Sequence, residues 1–412
     1  VPDASSDAEL LDALGVLVDH SLLRSAQEKP DRDQEARLWM LETVRQYAAE
    51  QLPARGQADQ LATRHAEYFA DLAERANAGL FSSEQSRWLA RLVAEISNLR
   101  AALSWAVPDN NPLLGLRLAA ALGQRFWDLY GFQQEDARWR ELALASTPGP
   151  PQRVRAQALA ALAVMMWRWN LEDASRYADQ AVSLADQIED QRLLAWCNIV
   201  LGTTKGRADD AQSADRHYEE AARLAALAGD RKIECIGILN RADVALRLAQ
   251  YESARRLCEQ GIAIDADRET VMTMLLLCVL SVAHAHLGHA QEAHMSLRAG
   301  AAPARQMGPR AAPYLHACGV VIARLGSAER AARLLGQEEF LREQRGWVHD
   351  ATEVRELGEA LEILHAKLYP AVLSSAWERG RAMSLEEAFA EVSQELDNLP
   401  PSDLPPQAAL PA

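Results

Sequence analysis

One short signature recurs six times along this chain at nearly constant spacing, and that recurrence constrains the fold more than any other feature. It consists of a small residue followed by partners four and seven positions on, the pattern of a helix that packs closely against its neighbours. The copies are Ala137/Glu141/Leu144, Ala174/Ala178/Ala181, Ala214/Tyr218/Ala221, Ala254/Cys258/Gly261, Ala293/Leu297/Gly300 and Ala331/Leu335/Glu338. Their first residues step by 37, 40, 40, 39 and 38. With an amphipathic stretch before each copy and a short polar turn between, this period predicts a stack of helix-turn-helix units. Such stacks present surfaces and seldom perform chemistry.

Composition agrees with a packed, extended array. The chain has 412 residues, of which 49% are hydrophobic, enough for a sizeable core. Its 43 basic against 58 acidic residues give a net charge of -15, the wrong sign for a surface that wraps a polyanion. Cys197, Cys235, Cys258, Cys278 and Cys318 form no paired ligand spacing and read as reduced, buried, small apolar residues, pointing to a cytoplasmic protein. The longest apolar run, Val271 to Ala283, is shorter than the roughly 20 residues a membrane span needs. No export signal opens the chain, and its first residue is Val, which hints at a missing upstream part.

The first 52 residues have a different pattern. Leu10, Leu11, Leu14, Leu17 and Val18 form a helical stripe, followed by short extended pieces at Ser21 to Arg24 and Arg37 to Met40. Leu41, Val44, Ala48 and Leu52 then share a helix face that Pro53 ends. Farther on, Leu61, Tyr68, Phe69 and Leu72 predict one helix, and Trp88, Leu89, Leu92, Ile96, Leu99 and Leu103 a longer one. Pro108 to Pro112 breaks that pattern and marks the start of the array.

The stretch ARLWMLETVRQYAAEQL, residues 36–52, resembles the winged-helix end of the nucleotide-binding core in bacterial STAND ATPases, the NB-ARC-like proteins that often serve as transcriptional regulators. Glu95 to Ala106 resembles the helix that joins this core to a tetratricopeptide-like array, with Ser97 where the family pattern expects an acidic residue. Arg333 to Gly336 and Trp377 to Ala388 resemble the elements closing that array. The resemblance implies an all-α, tetratricopeptide-like solenoid preceded by a partial winged-helix domain with a small β-hairpin. The expected parts are a winged-helix remnant at 1–55, a helical connector at 56–110, about six repeats at 111–345, capping helices at 346–395 and a Pro-rich linker or tail at 396–412.

Candidate chemistry is sparse. A phosphate-cradling loop needs glycines with a lysine and hydroxyl at fixed offset. The nearest string, Gly202 to Gly206, has the wrong order and is expected in a turn between helices. The resemblance therefore puts any ATP-binding core before Val1, leaving this chain without catalytic residues or cofactor. His284, His286, His289 and His294 form the densest histidine cluster, but Gly288 interrupts it, and it reads as a polar turn rather than a metal site. Residues 1–52 carry 11 acids against 5 bases, the wrong sign for phosphate contacts, which argues against a DNA reader. The acid pairs Asp209-Asp210 and Glu386-Glu387 read as helix-start carboxylates.

One candidate ligand surface remains. Trp127, Trp167 and Trp196 precede their anchors by 10, 7 and 18 positions, offsets that differ by 3, 8 and 11, and each difference returns to nearly the same helix face. They are expected to face a shared concave groove, with Arg168 supplying a charged contact. The expected function is the sensor and oligomerisation arm of a STAND-type regulator. Its expected partners are a protein or small-molecule inducer in the groove, the upstream nucleotide-binding core and a second copy of itself, without direct nucleic acid or membrane contact. A free-standing scaffold that clamps a peptide is the rival reading.

Overall fold

The computed structural model describes residues 7–25, 38–54, 56–80, 84–130, 139–141, 144–145, 152–167, 170–265, 271–344 and 347–397. It opens with α1 (Asp7–Asp19), β1 (Arg24–Ser25), β2 (Leu38–Trp39) and α2 (Glu42–Ala54). The strands pair antiparallel, Arg24 opposite Trp39 and Ser25 opposite Leu38, with the Arg24 guanidinium 5.5 Å from the Trp39 ring centre. This two-stranded ribbon is the sole sheet among the described residues.

Next come α3 (Ala58–Gly79), α4 (Gln85–Ala94), α5 (Ile96–Trp105) and α6 (Pro112–Tyr130). The single helix expected from Trp88 to Leu103 is broken at Glu95, which takes φ −98° and ψ 5°. The hydrophobic stripe runs through the break because it records which side faces the core, not a one-residue kink. Leu92, Leu99 and Leu103 join Leu72 and Leu118 in one buried cluster. A π-type turn at Ala106–Asn110, with Val107 extended, separates α5 from α6, whose N-terminus the Asn111 side chain caps.

Five helix pairs follow: α7 (Gln152–Met166) with α8 (Leu171–Gln187), α9 (Gln191–Arg207) with α10 (Ala211–Leu227), α11 (Arg231–Arg247) with α12 (Tyr251–Ile264), α13 (Val271–His286) with α14 (Ala290–Gln306), and α15 (Ala312–Leu325) with α16 (Ala328–Glu343). In each pair the repeated signature lies on the second helix and is buried. Small residues permit the close crossing. A Cβ on Gly202 would come within 2.7 Å of the Tyr218 ring, and one on Gly319 within 2.6 Å of Leu335. The first copy differs: Ala137 lies outside the described residues, Glu141 is exposed and Leu144 is half-buried.

The turns repeat as well. Asp190, Asp210 and Asp230 cap α9, α10 and α11 by accepting the N–H groups of Leu193, Ser213 and Ile233. The residue before each cap, Glu189, Asp209 or Gly229, has positive φ, as does Ala249 one turn later. Asp209 and Asp210 thus divide the work of a single turn. Glu387 accepts the Ser384 N–H while the Ser384 hydroxyl accepts the Glu387 N–H, a reciprocal cap.

The last described elements are α17 (Ala351–Lys367), α18 (Pro370–Ala382) and α19 (Leu385–Asp397). It is α18 that continues the stack along α16. A Cβ on Gly380 would fall 2.0 Å from the Arg333 carbonyl oxygen, and one on Gly336 2.4 Å from that of Trp377, so each helix presents a glycine to the other's backbone. Glu391 of α19 bonds Arg330 and Arg333, closing the end. The fold is a tetratricopeptide-like helical solenoid. No described helix is long and apolar enough to cross a membrane. All five cysteines are buried and free, and burial pushes the Cys197 thiol up to about 12.

Candidate functional site: the inner face of the array

Helix α17 does not extend the stack. It lies across the first helices of three consecutive units. The Thr352 hydroxyl donates to Asp243 of α11 at 3.0 Å, and Arg355 donates to the Leu246 carbonyl at 2.8 Å. Glu359 reaches Arg324 of α15 at 3.2 Å and lies 3.5 Å from His286 of α13. Glu356 meets His316 of α15 at 3.3 Å, and Lys367 donates to the Ala323 carbonyl at 2.9 Å. Thr352, Glu356, Ala360 and Leu364 recur every four residues, and all are buried. Asp350 and Glu353 fix the start of the helix with a capping box.

The 40-residue step between Ala214 and Ala254 carries this face back by one unit. Subtracting it takes Ile236, Leu239, Asp243 and Arg247 of α11 to Trp196, Ile199, Thr203 and Arg207 of α9. The bonds of α17 among the described residues begin at α11, so it leaves this stretch of inner face beyond its own N-terminus. Trp196 and Thr203 are half-buried, and Arg207 is exposed. Arg207 stacks on the Trp167 ring, 4.7 Å from its centre. Trp196 and Arg207 are 11 residues apart, about three turns and roughly 16 Å along one face. The two described tryptophans therefore mark opposite ends of α9. Trp127 belongs to α6, but its side chain, like all of Arg168, lies outside the described residues.

Polar anchoring around α9 is specific. Asn198 donates to the Leu194 carbonyl, while its side-chain oxygen lies 3.0 Å from His217 Nδ1. The Tyr218 hydroxyl donates to Thr203 at 3.1 Å, and Lys205 donates to Ser175 at 3.3 Å. The string Gly202 to Gly206 sits inside α9 rather than in a turn, correcting the sequence expectation. Its glycines are read correctly only when the Tyr218 ring is seen against them, a contact made 16 residues away.

Burial dominates the electrostatics under and beside α17. Under α17, burial raises the Asp243 carboxyl, reinforced by the charges of Asp350 and Glu356. Burial also raises Glu356 against the opposing hydrogen bond from His316. Burial works against charge on Glu338 too, but the His349 hydrogen bond and the Arg342 charge outweigh it and lower that carboxyl. The expected histidine cluster does not converge. His286 stacks on Tyr251 with centroids 4.1 Å apart, His284 lies 3.4 Å from His289, and His294 is buried separately on α14. Instead, His316, Glu338 and His349 bring three ligand-type atoms within 4.8 Å of one another. Their positions on two helices and a loop left no local spacing to read.

No protein-family model matches this sequence. Proteins of Mycobacterium tuberculosis and Mycobacterium bovis, each named "Putative HTH-type transcriptional regulator", are 33% identical over 251 residues. The match covers 56% of this chain and 27% of each relative. Among solved structures, a Rap protein complexed with competence and sporulation factor has a TM-score of 0.55 at 13% identity, covering 81% of this chain and 99% of that one. The apo form of the quorum sensor NprR from B. thuringiensis also has a TM-score of 0.55, at 12% identity, covering 95% and 97%. These likenesses establish a shared helical-repeat fold, and the chain spans about a quarter of the length of the curated relatives it matches.

Proposed function

We propose that this chain is the non-catalytic sensor arm of a cytoplasmic transcriptional regulator, and that the inner face of α9 receives a protein or peptide inducer. The observation that carries this reading is the unequal use of one repeated surface. Helix α17 occupies it over α11, α13 and α15, while the equivalent positions Trp196, Thr203 and Arg207 lie beyond that helix. The half-buried aromatic and the exposed guanidinium offer an extended ligand apolar contact and a charge, while Thr203, bonded to the Ile199 carbonyl and the Tyr218 hydroxyl, marks the stretch between them.

The 33% identity to proteins named as transcriptional regulators supports the regulatory setting. The Rap structure, titled as complexed with competence and sporulation factor, and the quorum sensor NprR support a signalling use for such an array. In this reading residues 1–55 are the winged-helix end of a STAND-type, NB-ARC-like core, and the array self-associates or presses on that core according to ligand state. An inducer shifts the equilibrium only by its preference for one state.

A peptide-display selection against the full chain tests the site. Peptides selected on the wild type should lose at least about tenfold in affinity, roughly 1.4 kcal/mol, against Trp196→Ala and against Thr203→Arg. Undiminished binding to both variants overturns the assignment.

A further inference from the structure

We propose that His316, Glu338 and His349 form a binding site for a zinc-type transition-metal ion that fastens the head of α17 into the groove. The proposal is independent of what the inner face of α9 binds. His316 comes from α15 and Glu338 from α16, both almost wholly buried, while His349 directly precedes Asp350, the cap of α17. A single ion would join both helices of one unit to the start of the groove helix.

The orientation of His316 carries the argument. Its Nε2 faces Glu356 at 3.3 Å, so a proton there is held by a carboxylate. That leaves Nδ1 as the lone-pair nitrogen. Nδ1 is buried without a hydrogen-bond partner and lies 3.9 Å from Glu338 Oε1. A histidine whose far nitrogen donates to a carboxylate, with the near one free, is the usual arrangement of a metal ligand and its supporting partner. His349 Nε2 lies 2.9 Å from the same Glu338 oxygen. Bonds of about 2.0–2.1 Å to a tetrahedral ion place ligand atoms roughly 3.3 Å apart, between these two separations.

Charge favours a dication. Glu338, Glu353 and Glu356, with Asp350 beside them, outnumber the two guanidiniums that reach them: Arg342, which bonds Glu338 and Glu353, and Arg355, which bonds Glu359 and acts on Glu356 through its charge. On metal binding, Glu338 turns one oxygen from Arg342 to the ion, while Arg342 keeps Glu353 and the Val348 carbonyl. Two imidazoles and one carboxylate suit zinc, cobalt or nickel rather than magnesium or calcium, which prefer all-oxygen shells. Three protein ligands leave a fourth position for water.

The test uses the full chain, stripped by chelator and titrated with cobalt(II). The expected result is one equivalent bound with the intense visible absorption of a tetrahedral site, displaced by zinc(II). His349→Ala, in the loop and partly exposed, should weaken cobalt affinity at least tenfold while leaving the far-ultraviolet circular dichroism intact. Glu338→Gln should act likewise if it folds. The weak spectrum of hydrated octahedral cobalt with the wild type, or an unchanged tetrahedral spectrum in folded His349→Ala, overturns the proposal.

Discussion

The Thr352 hydroxyl donates a 3.0 Å hydrogen bond to the Asp243 carboxylate across 109 residues of sequence, tying the first turn of the groove helix to the first helix of a unit far upstream. The bond matters because Asp243 is raised by burial and gains little from other donors at that point. Thr352→Val removes the donor at nearly constant volume and leaves a buried acceptor unmet, at a cost of about 1–3 kcal/mol. Urea unfolding measures that loss, and hydrogen exchange should show faster exchange in α17 than in α8, since the change is local to the groove. Equal acceleration of both helices would mean that α17 does not open as a separate unit.

Two glycines on neighbouring helices should respond oppositely to alanine. Gly380→Ala drives a Cβ to within 2.0 Å of the Arg333 carbonyl oxygen, a backbone atom that cannot swing away. Separating α16 from α18 should cost about 1–3 kcal/mol. Gly358 lies in α17 with open space where a Cβ would go. Gly358→Ala should stabilise by up to about 1 kcal/mol through helix propensity. Thermal melts of the two variants should move in opposite directions.

His286 makes stability depend on mild acid. Burial lowers its pKa to about 4, with the charges of Arg324 and Arg355 acting in the same direction. Its other neighbours are the Tyr251 ring and Glu359, whose carboxylate already meets Arg324 and Arg355. A histidine depressed in the folded state favours folding above its unfolded pKa of about 6.5, and that contribution is lost as pH falls towards about 4. Between pH 7 and pH 5 the wild type should lose up to about 2 kcal/mol more than His286→Phe, which keeps the ring stack. The raised carboxyls of Asp243 and Glu356 bias stability the other way as pH falls, so the comparison with the variant isolates His286. Identical pH profiles for the two proteins would exclude this role.

Ala249 holds φ +57° in the turn before α12, where the preceding turn has Gly229 at +69°. A Cβ in the left-handed region costs about 1–2 kcal/mol, partly offset by the greater unfolded-state freedom of glycine. Ala249→Gly should therefore raise stability by roughly 0.5–1 kcal/mol. Asp190→Ala, which removes the cap of α9, should lower it by about 1 kcal/mol. Denaturant midpoints at constant slope check both.

The amino-acid sequence by itself determined the repeat. Small residues at steps of four and seven recur because a helix can cross its neighbour closely only where side chains are short, and that need is local, periodic and legible at Ala174, Ala214, Ala254, Ala293 and Ala331. The two-stranded ribbon, the buried cysteines and the helix-start carboxylates follow from equally local rules. The tertiary structure alone decided which stretch of the repeated inner face is covered by α17. Nothing in residues 351–367 distinguishes a helix that lengthens the stack from one that folds back over α11, α13 and α15, because an amphipathic stripe records that a face is buried and not what buries it. The meeting of His316, Glu338 and His349 is hidden for the same reason. Each sits on a separate element, and only the return of the chain across its own groove brings their ligand atoms together.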